Sequence, residues 1–322
     1  MTDMRSIAFV TGTGDLLNLY MYLDHCTFDS SEKQLYIVLL GNKKNITQRH
    51  LSACQDFAIQ HFMNSGFVYI ESDAKDYLLH VFNYFQLSIT SAFEELFLFH
   101  VFGSIEFKIA SILNAKKVIL LENGIATYDP PKGRLRQSPQ IDVNEAWLPL
   151  SPILGNPTYL NGDLVKAPST IRYQKAVKPL SNENSLNNKF DIFIIGTSLY
   201  RLGIISLIDE IHAYSSYIEK LERDNTVNNI LWKPHPRMQC SEINIFKDFE
   251  KVTIIEDDMP IELLFSRKNP SAAVSASIAS SALLSGFLYF GIKPIILDAK
   301  ITGLERFPHI TRMQKFVSRL GA

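Results

Sequence analysis

Short apolar runs, each stopped by a glycine, a proline or a polar turn, recur along the chain and leave it few folds to adopt. Ile7-Ala8-Phe9-Val10 stops at Thr11-Gly12-Thr13-Gly14-Asp15, and Leu35-Tyr36-Ile37-Val38-Leu39-Leu40 stops at Gly41-Asn42. Phe67-Val68-Tyr69-Ile70 is a third run, and Lys117-Val118-Ile119-Leu120-Leu121 runs into Glu122-Asn123-Gly124. Between them the periodicity predicts helices over Leu16–Leu23, Thr47–Met63 (with Thr47 as its cap), Lys75–Leu87 and Phe93–Leu113. Short buried strands alternating with helices predict an α/β fold on a mostly parallel sheet.

The pattern then starts again. Ser181–Asn188 is polar and asparagine-rich, as a linker is. Phe190-Asp191-Ile192-Phe193-Ile194-Ile195 opens a second α/β unit and turns at Gly196-Thr197-Ser198. A helix over Ile205–Arg223, a strand over Asn229–Trp232 and a last strand at Pro294-Ile295-Ile296-Leu297 continue it. The expected organisation is a domain over residues 1–180, a second over 189–302 and a C-terminal helix within 303–322. A length of 322 residues suits two domains of ordinary size. The segment from Glu145 to Pro179 gives no clear assignment, and Lys132–Arg136 lies in a basic loop rich in proline and glycine.

Composition removes several classes. A net charge of −1 gives no electrostatic footing for a nucleic-acid binder. Cys26, Cys54 and Cys240 are too few and too scattered for a disulfide framework or a zinc site, which suits a reducing compartment. The N-terminus does not read as a signal peptide. The apolar stretch Ser275–Ile292 is broken by serines and glycines and reads as a buried helix rather than a membrane span. A cytoplasmic protein is expected, with peripheral membrane contact left open.

The polar groups cluster where strands end. Leu231-Trp232-Lys233-Pro234-His235-Pro236-Arg237 stops an apolar run at a histidine between two prolines, which restrict the backbone on both sides. His235 can donate to an anion or pass a proton near neutral pH, or be an ordinary residue of a rigid turn. Ala273-Val274-Ser275-Ala276 reads as a serine-rich turn. Ser280 and Ser281 then open an apolar helix, where backbone N–H groups suit a phosphate, although an N-cap needs serine too. Glu262 lies in the first turn of a helix after Pro260, complementing the helix dipole or accepting from a ribose diol. Glu122, ending a strand before Gly124, is placed for a general base or for solvating the turn.

Gly12-Thr13-Gly14 and Gly196-Thr197-Ser198 are strand-to-helix turns, yet neither is a dinucleotide fingerprint or a P-loop. Glu256-Asp257-Asp258 lacks a nearby His or Cys and reads as a solvated loop, so no metal is expected. His80 and His100 are expected to pack within apolar helices.

Taken together, Glu122-Asn123-Gly124, His235-Pro236 and Ser280-Ser281, in that order over about 160 residues, resemble the bacterial sialyltransferases that build lipooligosaccharide or capsular polysaccharide. The resemblance implies a GT-B fold, two Rossmann-like domains facing across a cleft. It implies transfer of sialic acid from CMP-sialic acid to a glycan hydroxyl with inversion, without a metal or other cofactor. By the same resemblance Glu122 is the base, His235 contacts the donor phosphate and acts as its acid, and Ser280 and Ser281 bind the same phosphate. Glu262, 27 residues after His235, falls at a ribose-binding position. Lys233, Pro236, Gly196 and Thr197 complete the donor side, and Gly12, Gly14, Asn123 and Gly124 the acceptor side. Asn123 departs from the family pattern, which has a second acidic residue there, and this bears on acceptor positioning. Transfer from CMP-Kdo or CDP-glycerol, or an inactive nucleotide-sugar-binding subunit, are the alternatives. The C-terminal helix, with Arg312, Lys315 and Arg319 on one side, is expected to pack back across the cleft or to touch an anionic membrane, and a homodimer is allowed.

Overall fold

The computed structural model describes the whole chain except residues 1–3, 27–32, 42–45, 47, 63–64, 72–75, 89–90, 102–103, 114, 131–140, 158, 161–164, 167–189, 257–258, 266–273, 303–306 and 321–322. Thr47, the basic loop Lys132–Arg136, the linker Ser181–Asn188, and Asp257 and Asp258 lie outside the described residues. The chain divides into two compact units, Met1–Ser169 and Thr170–Ala322.

The first unit holds a seven-stranded sheet, parallel throughout: β1 (Met4–Val10), β2 (Lys33–Gly41), β3 (Gly66–Glu71), β4 (Phe93–Leu98), β5 (Ala115–Leu121), β6 (Glu145–Trp147) and β7 (Val165–Lys166). Its order is β3-β2-β1-β4-β5-β6-β7. Residues alternate between the faces: Ile7, Phe9, Tyr36, Val38 and Val68 pack with Tyr77, Leu78 and Val81 of helix Tyr77–Tyr84 and with Ile109 of helix Ser104–Ile112. Tyr22, on helix Thr13–His25, meets the edges of Phe97 and Trp147.

The second unit repeats the plan with five parallel strands: β8 (Phe190–Ile195), β9 (Val227–Lys233), β10 (Val252–Ile254), β11 (Val274–Ser277) and β12 (Lys293–Ile296), in the order β10-β9-β8-β11-β12. Its sheet is apolar on both faces. Ile192, Ile194, Ile230 and Trp232 pack with Tyr214 and Ile218 of helix Leu207–Glu222, whereas Phe193, Ile195 and Leu231 pack with Ile261, Leu264 and Leu283. Buried faces on both sides are what make such strands read as unbroken apolar runs. Helix Pro308–Leu320 lies on this unit through buried Ile310, Met313 and Val317, with Arg312, Lys315 and Arg319 exposed. No helix among the described residues is long and apolar enough to cross a membrane.

Three expectations are corrected. Phe93–Leu98 is strand β4, not the start of a helix, because pairing with β1 and β5 at the sheet centre overrides a pattern that fits either period. Its glutamates are held by the neighbouring strands: Glu95 accepts from Ser6 Oγ of β1 at 3.1 Å, and Glu94 pairs with Lys116 of β5 at 2.6 Å. Val274–Ser277 is strand β11, paired between β8 and β12, not a turn; Ser277 is accommodated inside because its hydroxyl donates to Ile195 O at 2.7 Å. Ser275–Ile292 is accordingly a strand followed by helix Ala282–Phe290, not one helix. Where no assignment was possible, Glu145–Trp147 and Val165–Lys166 extend the first sheet.

Candidate active site

Both sheets reverse direction of growth at one place, between β1 and β4 in the first unit and between β8 and β11 in the second. In open parallel sheets the loops at the carboxyl ends of those two strands part and leave a crevice for ligand.

In the second unit the loop after β8 is built around Gly196. Its amide donates to Lys233 O at 2.8 Å, and an added Cβ would lie 2.9 Å from the His235 backbone nitrogen and 3.1 Å from Pro234 Cα. Glycine is therefore needed for close approach of the β8 and β9 ends. The loop is clamped from below by Glu210, 2% exposed, whose carboxylate accepts from Thr197 Oγ1 at 2.5 Å and from the Tyr200 amide at 2.9 Å. Thr197 thus points its hydroxyl inward, where Tyr214 also reaches it at 3.2 Å.

Beyond β9, Pro236 and Arg237 form a tight turn closed by Met238 N–H donating to His235 O at 2.9 Å, with proline at the position that favours its fixed φ. The Arg237 amide also donates to His235 Nδ1 at 3.1 Å, and Ser198 Oγ stands 3.4 Å from the same nitrogen. Lys233 is buried and His235 half-buried. After Gln239, helix Cys240–Asn244 is tied back by Glu242, which accepts from Gln239 N at 2.8 Å and from Tyr200 OH at 2.5 Å. Burial and that carboxylate push the Tyr200 hydroxyl up to about 12.

On the β11 side, Ser280 and Ser281 lead into helix Ala282–Phe290, both half-buried. Part of the helix N-terminus is used internally: Ser280 Oγ accepts from Ala282 N at 3.3 Å and Ser280 O from Leu283 N at 3.1 Å. Glu262, in helix Ile261–Phe265, accepts from Ser285 Oγ at 2.8 Å. Burial raises its carboxyl above the ordinary range, against the lowering effect of its hydrogen bonds.

In the first unit the switch point holds Gly12 and Asn123, which the sequence singled out, beside Asp15, His50 and His100, which it did not assign to the site. Asp15, 5% exposed, accepts from Thr11 N at 2.7 Å and Thr11 Oγ1 at 2.6 Å, locking the turn after β1. Gly12 begins helix Thr13–His25 in extended conformation, and an added Cβ would stand 3.1 Å from His50 Cε1; Gly14 is exposed with open space around it. His50 Nε2 lies 3.2 Å from Thr11 O. Asn123, at the end of β5, reaches back to both switch strands: its Nδ2 donates to Thr11 Oγ1 at 3.4 Å and stands 3.5 Å from His100 Nε2. His100 follows β4 rather than sitting within a helix, and His80 is exposed on its helix, so neither is packed in an apolar helix as expected.

Glu122 is engaged by neighbours of its own. It is 5% exposed, and its Oε2 accepts from Tyr128 OH and, at 3.0 Å, from Leu150 N. Its backbone carbonyl accepts from Asn18 Nδ2 at 3.0 Å. Gly124, at φ 62, starts the short 3-10 turn Gly124–Thr127 that brings Tyr128 round to the carboxylate. Sequence reasoning missed Asp15, Asn18, Tyr128, Ser198 and Glu210. Ser198 was within reach, being the next residue after the Gly196-Thr197 pair. Glu210 carried no signal, since an acid in a helix's first turn reads as dipole compensation.

Two Rossmann-like units with one strand order, each gathering polar groups at its switch point, define the GT-B class. Solved structures share this arrangement. The GT-B domain of a Photobacterium damselae sialyltransferase (residues 113–497) superposes with TM-score 0.53 and 13% identity over 88% of each chain. A 2,6-sialyltransferase from a Vibrionaceae Photobacterium species, solved with CMP and lactose, gives 0.60 and 14% over 97% of this chain and 76% of that one. A Listeria monocytogenes putative UDP-N-acetylglucosamine 2-epimerase gives 0.55 and 10% over 99% and 89%. At these identities the likeness concerns fold, and that fold serves more than one reaction. Sequence decides the family: the chain belongs to the alpha-2,8-polysialyltransferase (POLYST) family, whose sequence model matches residues 6–299. No curated protein matches the chain by sequence.

Proposed function

We propose that the protein is an inverting sialyltransferase that moves sialic acid from CMP-sialic acid to a hydroxyl of a glycan acceptor. Following the family, the acceptor would itself end in sialic acid and the new linkage would be 2,8. The observation that carries the reading is the contact of Ser198, after β8, with His235, after β9, beside the β8/β11 switch point, where Ser280 and Ser281 follow β11. Donors already in place there suit a phosphate that gains charge as the glycosidic bond breaks.

In this reading the second unit holds CMP. His235 and the hydroxyls of Ser280 and Ser281 contact its phosphate, Lys233 adds positive charge, Pro236 fixes the turn, and Gly196 and Thr197 shape the loop. Glu262 takes the ribose diol. In the first unit Glu122 removes the acceptor proton, with Gly12, Gly14, Asn123 and Gly124 forming the acceptor side. Because protein donors neutralise the phosphate, the mechanism proposed needs no metal. The half-buried Asn123 bridge to Thr11 and His100 supports an ordered acceptor side despite the missing second carboxylate.

A donor panel tests this. The purified protein should release CMP from CMP-sialic acid and leave CMP-Kdo and CDP-glycerol intact. Release from either of the latter and not from CMP-sialic acid would replace the donor assignment, and release from none would favour an inactive binding subunit.

A further inference from the structure

The chemistry of His235 can be specified further, on the basis of the donor-site reading above. A ring nitrogen that receives an N–H must offer a lone pair. The Arg237 amide donates to His235 Nδ1 at 3.1 Å, so Nδ1 carries no proton and the neutral ring holds its proton on Nε2. The amide cannot reverse its role as a hydroxyl can, and the turn that aims it is fixed by Pro236 and by Met238 N–H donating to His235 O at 2.9 Å. Ser198, 7% exposed, places its hydroxyl 3.4 Å from the same nitrogen. A doubly protonated ring would set Nδ1–H against the Arg237 N–H.

We infer that the Arg237 amide, with Ser198 as a positioning residue, locks His235 in the Nε2–H form, so that it serves as a neutral hydrogen-bond donor to the departing phosphate and not as a proton-transferring acid. The balance of the step allows this. The bond from the anomeric carbon to the phosphate oxygen breaks with its electron pair going to CMP, the acceptor oxygen forms the new bond, and its proton goes to the base. CMP leaves as a phosphate monoester with a second pKa of about 6, so near neutral pH it departs without needing a proton. His235 keeps its own. Among the described residues the charged groups on the elements around the turn include Lys233 at the end of β9, Arg237 in the turn, Arg201 and Glu210 at the β8 loop, and Glu242 beyond the turn. Glu210 is engaged by Thr197 and Tyr200, and Glu242 by Gln239, Tyr200 and, at 3.7 Å, Arg201.

The test is nitrogen NMR on full-length protein labelled with 15N-histidine, with the His235 signals assigned through His235→Gln and followed with and without CMP between about pH 6 and 8. The expected spectrum has a bare Nδ1 and a protonated Nε2, unchanged in the CMP complex. A proton on Nδ1, or a charged ring in that complex, overturns the inference. Kinetics give a second reading. Gln reaches the Nε2 position with a neutral N–H, whereas Asn reaches that of Nδ1. His235→Gln should keep kcat within about tenfold of wild type, and His235→Asn and His235→Ala should fall by about a hundredfold or more, as loss of one preorganised donor does. A Gln variant as inactive as the Ala variant, though folded and binding CMP, would also overturn it. Failure of the wild type to bind CMP would instead remove the donor-site reading beneath it.

Discussion

Ser285 donates its hydroxyl to Glu262 across 2.8 Å, joining two short helices of the second unit through a carboxylate that burial holds above its ordinary range. The folded state therefore binds this proton more tightly than the unfolded chain does. The stabilisation it brings is present below the unfolded value of about 4.5 and is lost as pH rises through the higher folded value. Glu262→Gln, which keeps an acceptor for Ser285 and has no charge to desolvate, should flatten that fall and raise Tm near neutral pH. Thermal melts of both proteins across that range check the sign. If Glu262 holds the ribose, the variant should also bind CMP more weakly, and unchanged affinity would withdraw that role.

Asn123 stands where the resemblance implies a second acidic residue, and the structure gives the amide a task a carboxylate cannot perform. Thr11 Oγ1 donates to Asp15, so it accepts from Asn123 Nδ2. Asn123→Asp would face that oxygen with an acceptor and bring a second negative charge towards Asp15. A loss of about 1–3 kcal/mol in unfolding free energy is expected, the cost of stranding a polar group, with Asn123→Ala closer to wild type. An Asp variant as stable as wild type would show that the bridge contributes nothing.

Gly196 tests the packing of the proposed donor side. With a Cβ held 2.9 Å from the His235 nitrogen and 3.1 Å from Pro234 Cα, Gly196→Ala must separate the β8 loop from the His235 turn. Overpacking of this kind costs about 1–3 kcal/mol. The movement should weaken CMP binding well beyond what the stability loss explains, as isothermal titration at a temperature where the variant is folded will show.

Much of this architecture was legible in the chain. Val10, Leu40, Leu121, Ile195 and Trp232 all end or nearly end strands that run apolar because both sides of each sheet are covered. Phe93–Leu98 was not, since its spacing fits two periods and its place beside β1 depends on residues some ninety positions away, Ser6 among them. With β4 unseen, the switch point of the first unit and His100 beside it were invisible. The loops after β8 and β9 were clearer because proline and glycine mark them locally: Pro234, Pro236 and Gly196 constrain backbone wherever they stand. The direction of the Glu122 side chain is set by Tyr128 and Leu150, and nothing in a strand-end Glu-Asn-Gly announces that.

Glu122 holds both possible roles, and two substitutions separate them. Glu122→Gln keeps acceptors for Tyr128 and Leu150, whereas Glu122→Ala loses them. If Glu122 is the base, both variants lose transfer by about a hundredfold to ten-thousandfold, the Gln variant keeps its Tm, and CMP still binds. An active Gln variant beside an unstable Ala variant would make Glu122 a structural tie and send the search for the base to the β1/β4 crevice.

Sialyl transfer itself can be measured directly. The wild-type protein is mixed with CMP-sialic acid and an oligosaccharide ending in sialic acid, CMP release is followed, and the product is read by mass spectrometry and NMR. CMP release should depend on the acceptor, and the product should be longer by sialic acid, joined through a 2,8 linkage with inversion at the anomeric carbon. CMP release that ignores the acceptor, or no release with donor and acceptor both saturating, would contradict sialyl transfer.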